Sequence, residues 1–276
     1  MATKKAKPPV KKTTIKKTQP KKSAGVDFKS LSAGLKNIFS CKCSPTKSMP
    51  SIGALIAEFI GTFLLVATIF AVQGQPLFVA FAVIGIVLII SGASKLHINP
   101  AITIGAWVTR KMCSVCAIGY IAAQALGATA GFIVLSAFLK GAATELSSAP
   151  TMFQAATITT EKEWFILFAE LIGTFIIALG IAKAVRSAKI VYSMTYGFAT
   201  LVALIIAGSV TSVFLTEAST TLTFLNPAVA FAANGVSWNV WPIAIYIVAP
   251  IIGSIAGFAL NDLLDDKSCD CKDCNC

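Results

Sequence analysis

His97-Ile98-Asn99-Pro100-Ala101 lies between two long apolar stretches, in a segment too short to cross a bilayer, and its last three residues return as Asn226-Pro227-Ala228 in the same setting. Asn is a good helix N-cap, and Pro suits the first helical position because its missing N–H would be unpaired there anyway. Each triplet therefore starts a half-length helix, expected over Asn99–Thr109 and Asn226–Asn234. Working outward, other markers recur as well. Ala57-Glu58-Phe59-Ile60-Gly61-Thr62-Phe63 returns as Ala169-Glu170-Leu171-Ile172-Gly173-Thr174-Phe175. Tyr120, Gly127 and Gly131 return at the same spacing as Tyr246, Gly253 and Gly257. The three markers keep their order, about 110 to 130 residues apart, which identifies a duplicated unit.

Composition says where that unit lives. Of 276 residues, 56% are hydrophobic and 13% are charged, more apolar and less charged than a soluble domain. Six apolar stretches near Ile52–Val72, Leu77–Ser94, Ser114–Leu139, Trp164–Lys183, Val191–Phe214 and Val240–Asn261 approach or exceed the roughly 20 residues that span a bilayer core. Backbone amides in lipid need partners, so the expected form is helical; barrel strands would alternate, and these runs do not. Each half holds three spans, an odd number, so the second half is inserted upside down. The expected fold class is an all-α membrane protein of six transmembrane helices and two re-entrant half-helices in two inverted repeats. Inversion lets the half-helices enter from opposite faces with their N-termini near the midplane. Each N-terminus carries about half a positive charge, and the pair would orient a polar neutral molecule and repel cations. Broken helices are tolerated at that depth where they line a cavity or pack in protein.

Charge divides the chain into three segments. Of 23 Lys and Arg residues, 13 lie in the first 50 positions, where Asp27 is the only acid. Residues 1–50 are therefore expected to be a disordered cationic arm, 51–262 the channel-like body (repeats near 51–140 and 163–262), and 263–276 a Cys-rich tail. The arm has too few apolar residues to bury anything; it reads first as solvated, secondly as a weak hold on anionic lipid, and least as a nucleic-acid contact. Lys95, Arg110, Lys111, Lys183, Arg186 and Lys189 lie in loops on one side, whereas Lys140 and Lys162 are offset by Glu145, Glu161, Glu163 and Glu217 on the other. The positive-inside bias then places both termini in the cytoplasm. Cys41, Cys43, Cys113, Cys116, Cys269, Cys271, Cys274 and Cys276 all fall on that side, where disulfides are not expected. The last four read as an inert reduced tail, with a soft metal or acyl chains as alternatives. No other metal site and no cofactor are expected.

These motifs resemble the aquaporin family, or major intrinsic proteins, over about Ile52 to Asn261. The resemblance rests on the doubled Ala-Glu-x-x-Gly-Thr-Phe, His97 to Ala101, Asn226-Pro227-Ala228, and Tyr246-Ile247-Val248-Ala249-Pro250-Ile251-Ile252-Gly253. It implies a homotetramer with one pore per subunit for water or small uncharged solutes, with Asn99 and Asn226 donating hydrogen bonds to the permeant. Glu58 and Glu170 read either as a proton relay or, preferred, as acceptors for the backbone of the adjacent half-helix loop. His97, the sole histidine, reads as packing beside the Asn99 turn rather than as a pH gate. The two Gly-x-x-x-Gly pairs read as close helix contacts. One departure stands out: most family members place Arg after the second Asn-Pro-Ala, where this chain has Val229. The other expected wall residues are Phe81 (or Phe78), Leu204 and Thr223, across an approach, Ser209–Phe224, longer than usual. An uncharged constriction of this kind favours small solutes such as glycerol or urea beside water. Alternatives are a secondary transporter or a non-conducting scaffold. An enzyme is excluded at this level because the body holds no nucleophile–base–orienter set.

Overall fold

The computed structural model describes residues 49–92, 96–143, 158, 161–214, 223–233 and 236–265. The Lys-rich arm (1–48), Lys95, Glu145, Glu217, and the tail cysteines Cys269, Cys271, Cys274 and Cys276 lie outside the described residues. Helices α1 (Ile52–Ala71), α2 (Pro76–Ile90), α3 (Pro100–Val108), α4 (Ser114–Ala143), α5 (Glu163–Ala184), α6 (Lys189–Phe214) and α7 (Pro227–Ala232) follow in order. The last span, Val240–Asp265, begins as α8 (Val240–Ile243), passes through a π-turn at Ala244–Val248, and continues as α9 (Ala249–Asp265). Pro250 explains the π-turn, since it has no N–H to give and its ring would strike the carbonyl four residues back.

The ends of these helices follow from local chemistry. Ser51 caps α1, its Oγ accepting the Ala54 N–H at 3.1 Å. Gln73 and Gly74, both in the left-handed region (φ 52° and 66°), turn the chain so that Pro76 can open α2. Five of the spans are long and apolar enough to cross a membrane; α2, with 15 residues, covers about 22 Å at 1.5 Å per residue. The sequence expectation carried α2 to Ser94, but the helix stops at Ile90. Ser91 is extended and buried because the chain must turn there into the protein interior to reach Asn99. The half-helices are shorter still, nine residues for α3 and six for α7, so neither can cross.

Packing repeats with the duplication. In α4, a Cβ at Gly127 or Gly131 would stand 2.2 and 2.7 Å from the Phe59 and Phe63 carbonyl oxygens of α1. In α9, a Cβ at Gly253 or Gly257 would stand 2.2 and 2.6 Å from the Leu171 and Phe175 carbonyl oxygens of α5. Both Gly-x-x-x-Gly pairs thus let two helix backbones touch. The halves also brace each other: α3 of the first packs on α9 of the second, and α7 of the second on α4 of the first. Outward faces are apolar, as with Ile52, Ile56, Ile60 and Leu64 along α1, one per turn on the side a lipid or a neighbouring subunit would meet.

Candidate pore between the two half-helices

Each half-helix is capped by its own asparagine and tied to the other half. Asn99 Oδ1 accepts the Ala101 N–H at 2.9 Å, and Asn226 Oδ1 accepts the Ala228 N–H at 3.0 Å. The amide nitrogens cross over: Asn99 Nδ2 donates to the Leu225 carbonyl at 2.8 Å, and Asn226 Nδ2 donates to the Ile98 carbonyl at 2.8 Å. An Asn amide has two N–H donors. One from each side chain is thereby used in bracing the halves, and one from each is left for the space between them.

The carbonyls face correctly because the residue before each asparagine is held in an unusual conformation. Ile98 and Leu225 have φ of 47° and 51°, which costs non-glycine residues about 1–3 kcal/mol each. Buried carboxylates hold them there. Glu58 accepts the His97 N–H on Oε1 and the Ile98 N–H on Oε2, both at 2.7 Å. Glu170 accepts the Phe224 N–H at 2.6 Å and the Leu225 N–H at 2.8 Å in the same way. Gly61 and Gly173 make room, since a Cβ there would meet Ile98 Cγ2 at 2.6 Å and Leu225 Cδ2 at 2.4 Å. The two carboxylate anchors differ in one contact: Gln124 Nε2 donates to Glu58 at 2.8 Å, whereas the position matching Gln124 in the second half is Pro250. His97 is buried, its Nδ1 3.2 Å from Thr103 Oγ1 and its ring edge-on to Tyr120.

A cavity of about 540 Å³, counted with the open space at its mouth, has Asn99, Asn226 and Tyr196 in its wall. It lies toward the face away from Ser51 and Asp265, among the far ends of α1 and α6. Leu204, Thr223 and Val229 are among the residues that line it. Phe81 and Phe78 do not; they are 60% and 59% exposed on the outer side of α2, and Val79 and Val83 take that part of the wall. An all-apolar helix shows no polar stripe from which its inward face can be read, and α2 is apolar throughout. Sequence reading also missed Tyr192 and Tyr196 of α6, whose hydroxyls donate to the Leu96 and His97 carbonyls at 2.9 and 2.5 Å. Their spacing of four on one helix was visible, but their target was not.

Two capped half-helices meeting between inverted repeats, with a cavity leading to both asparagines, define a membrane channel for small uncharged molecules. Residues 46–260 match the family model of the major intrinsic proteins. The chain is 30% identical to the aquaporin AqpM of Methanothermobacter marburgensis, covering 72% of this chain and 92% of that one. It is 33% identical to the aquaporin PIP2-7 of Arabidopsis thaliana (79% and 82%) and 30% to a glycerol uptake facilitator protein-like 6 of Lactiplantibacillus plantarum (72% and 92%). The X-ray structure of the aquaglyceroporin from Plasmodium falciparum superposes with a TM-score of 0.63 at 21% identity, covering 79% of this chain and 98% of the other. The chain therefore belongs to the major intrinsic protein family. It is an integral, multi-pass membrane protein and a passive channel of the water and small-solute class.

Proposed function

We propose that the channel conducts glycerol- or urea-sized neutral solutes as well as water. The observation that carries this is the outer cavity wall, where Leu204, Thr223 and Val229 stand with Val79 and Val83. None of the five bears a charge, and only Thr223 offers a hydroxyl. A hydrated ion entering such a wall would lose its water without compensation, whereas a neutral polyol or amide loses far less. At the inner end, the free N–H of each asparagine gives the permeant a donor, and the facing half-helix ends raise the potential against cations. Glu58 and Glu170 act as loop anchors, because both oxygens of each already accept backbone N–H groups. That engagement disfavours a coupled transporter, in which these acids would have to bind and release protons during the cycle.

The chain works as a homotetramer with both termini in the cytoplasm, held in the bilayer by its body, with the Lys-rich arm solvated beside it and anionic-lipid contact as the second reading of that arm. The family resemblance supports the first, the loop charges the second and the arm's composition the third. Stopped-flow swelling of proteoliposomes against sucrose, glycerol and urea gradients tests the solute range. Linear, non-saturating glycerol and urea flux is expected alongside water flux; water flux with neither solute would reject the proposal.

A further inference from the structure

The two halves are matched in backbone but not in what faces the route. Helices α2 and α6 are equivalent members of the inverted repeats. Val79 and Val83 are the fourth and eighth residues of α2, and Tyr192 and Tyr196 are the fourth and eighth of α6. The same helix face thus carries two valines in the half toward the cavity mouth and two tyrosines in the half toward Ser51 and Asp265. The loops they face are also equivalent: Leu96-His97-Ile98 before Asn99 corresponds to Thr223-Phe224-Leu225 before Asn226. On the mouth side the loop residues line the open cavity, and Val79 and Val83 have no hydroxyl to offer them. On the other side, Tyr192 and Tyr196 bond the Leu96 and His97 carbonyls. Both tyrosines are buried, at 1% and 3% exposure, with their rings 6.2 Å apart. Tyr196 is also part of the cavity wall beside the asparagines.

On the channel reading above, we propose that Tyr192 and Tyr196 form the gate and the solute-selecting constriction of this pore, on the side of the asparagines nearer Ser51 and Asp265. A molecule leaving the asparagines toward that face needs acceptors for its own O–H or N–H groups, and the loop carbonyls are those acceptors. The tyrosine hydroxyls hold the positions a permeant's donors would take. Conduction requires them to leave, so their bonds to Leu96 and His97 set how often the route is open. The narrow point then lies on the opposite side of the asparagines from Val229.

The full chain is reconstituted as wild type, Tyr196→Phe, Tyr192→Phe/Tyr196→Phe and Tyr192→Ala/Tyr196→Ala, each checked for tetramer size and helicity. Water and glycerol permeabilities are measured by stopped flow. Tyr196→Phe keeps the ring and removes the bond, so permeability should rise about fivefold, the factor one net hydrogen bond confers on a two-state equilibrium. The double Phe variant should rise further, and the double Ala variant should gain more for glycerol than for water. A wild type at the bare-lipid rate with conducting variants also supports the gate, as tightly shut. If wild type conducts and the folded Phe and Ala variants conduct equally or less, the gate is refuted while the channel reading stands. If wild type and all variants stay at the bare-lipid rate, the channel reading falls and the gate with it.

Discussion

Replacing Glu170 by alanine strips the loop before Asn226 of both acceptors that hold it. The Phe224 and Leu225 N–H groups donate to the two carboxylate oxygens, at 2.6 and 2.8 Å, and all three residues are buried. A buried donor left without a partner costs about 1–3 kcal/mol, so the pair sets a loss of about 2–6 kcal/mol. The two donors are neighbours and relax together, which makes the upper end a bound rather than a sum. Glu170→Gln keeps one carbonyl oxygen but turns an NH2 group toward the second donor, so about half the loss is expected, ~1–3 kcal/mol. Glu58→Ala should cost more than Glu170→Ala, because Gln124 Nε2 loses one of its two acceptors, keeping only Thr103 Oγ1, while the His97 and Ile98 N–H groups are orphaned. Permeability should fall with stability: Leu225 carries the carbonyl that orients Asn99, and its positive φ would then be held only through that carbonyl, by Asn99 and Thr174. The assay is reversible unfolding in mixed detergent micelles followed by circular dichroism, with swelling of proteoliposomes on the same preparations. A Glu170→Ala protein within about 0.5 kcal/mol of wild type would refute the anchor role. So would an order in which Glu170→Gln is as damaging as Glu170→Ala.

The other predictions are shorter. Asn226→Asp removes the donor to Ile98 O and sets an acceptor against an acceptor; water flux should drop and cation current appear, measured by swelling and by planar-bilayer recording. Val229→Arg puts five N–H donors and a permanent charge at the wall beside Leu204 and Thr223, so glycerol and urea flux should fall more than water flux in protein that remains tetrameric. Gly127→Ala would press a Cβ to 2.2 Å from the Phe59 carbonyl oxygen, while Gly85→Ala meets nothing within 4 Å. The first should abolish the folded tetramer on gel filtration, and the second should leave it intact. Protease added outside intact cells should spare both termini; digestion of either would overturn the orientation argued from loop charge.

The fold was legible because its signals are local and repeated. Six apolar runs, two Asn-Pro-Ala triplets and the paired Ala-Glu-x-x-Gly-Thr-Phe segments announce spans, half-helices and inversion without knowledge of any long-range contact. Capping by Asn99 and Asn226 was equally readable, since an N-cap acts on the residue two positions on. The acceptor role of Glu58 and Glu170 was inferred from an acid at the same place in each half, and the geometry now supplies its atoms. Other features depended on which residues meet across the chain. The exchange of amide donors between Asn99 and Leu225, and between Asn226 and Ile98, joins positions more than 120 residues apart. The left-handed backbone at Ile98 and Leu225 runs against the preference of both residue types and exists only because a buried carboxylate and a partner asparagine hold it. The inward face of α2 could not be phased from a helix apolar on every side, which is why Phe81 was expected in the wall that Val79 and Val83 occupy. Tyr192 and Tyr196 carried no motif at all. Their meaning comes from where α6 sets their hydroxyls, on the Leu96 and His97 carbonyls of the other half. Sequence thus determined the elements, their order and their caps, because those depend on neighbours a few residues away. Tertiary structure alone decided which groups face the pore, because that depends on how helices distant in the chain rotate against each other when they pack.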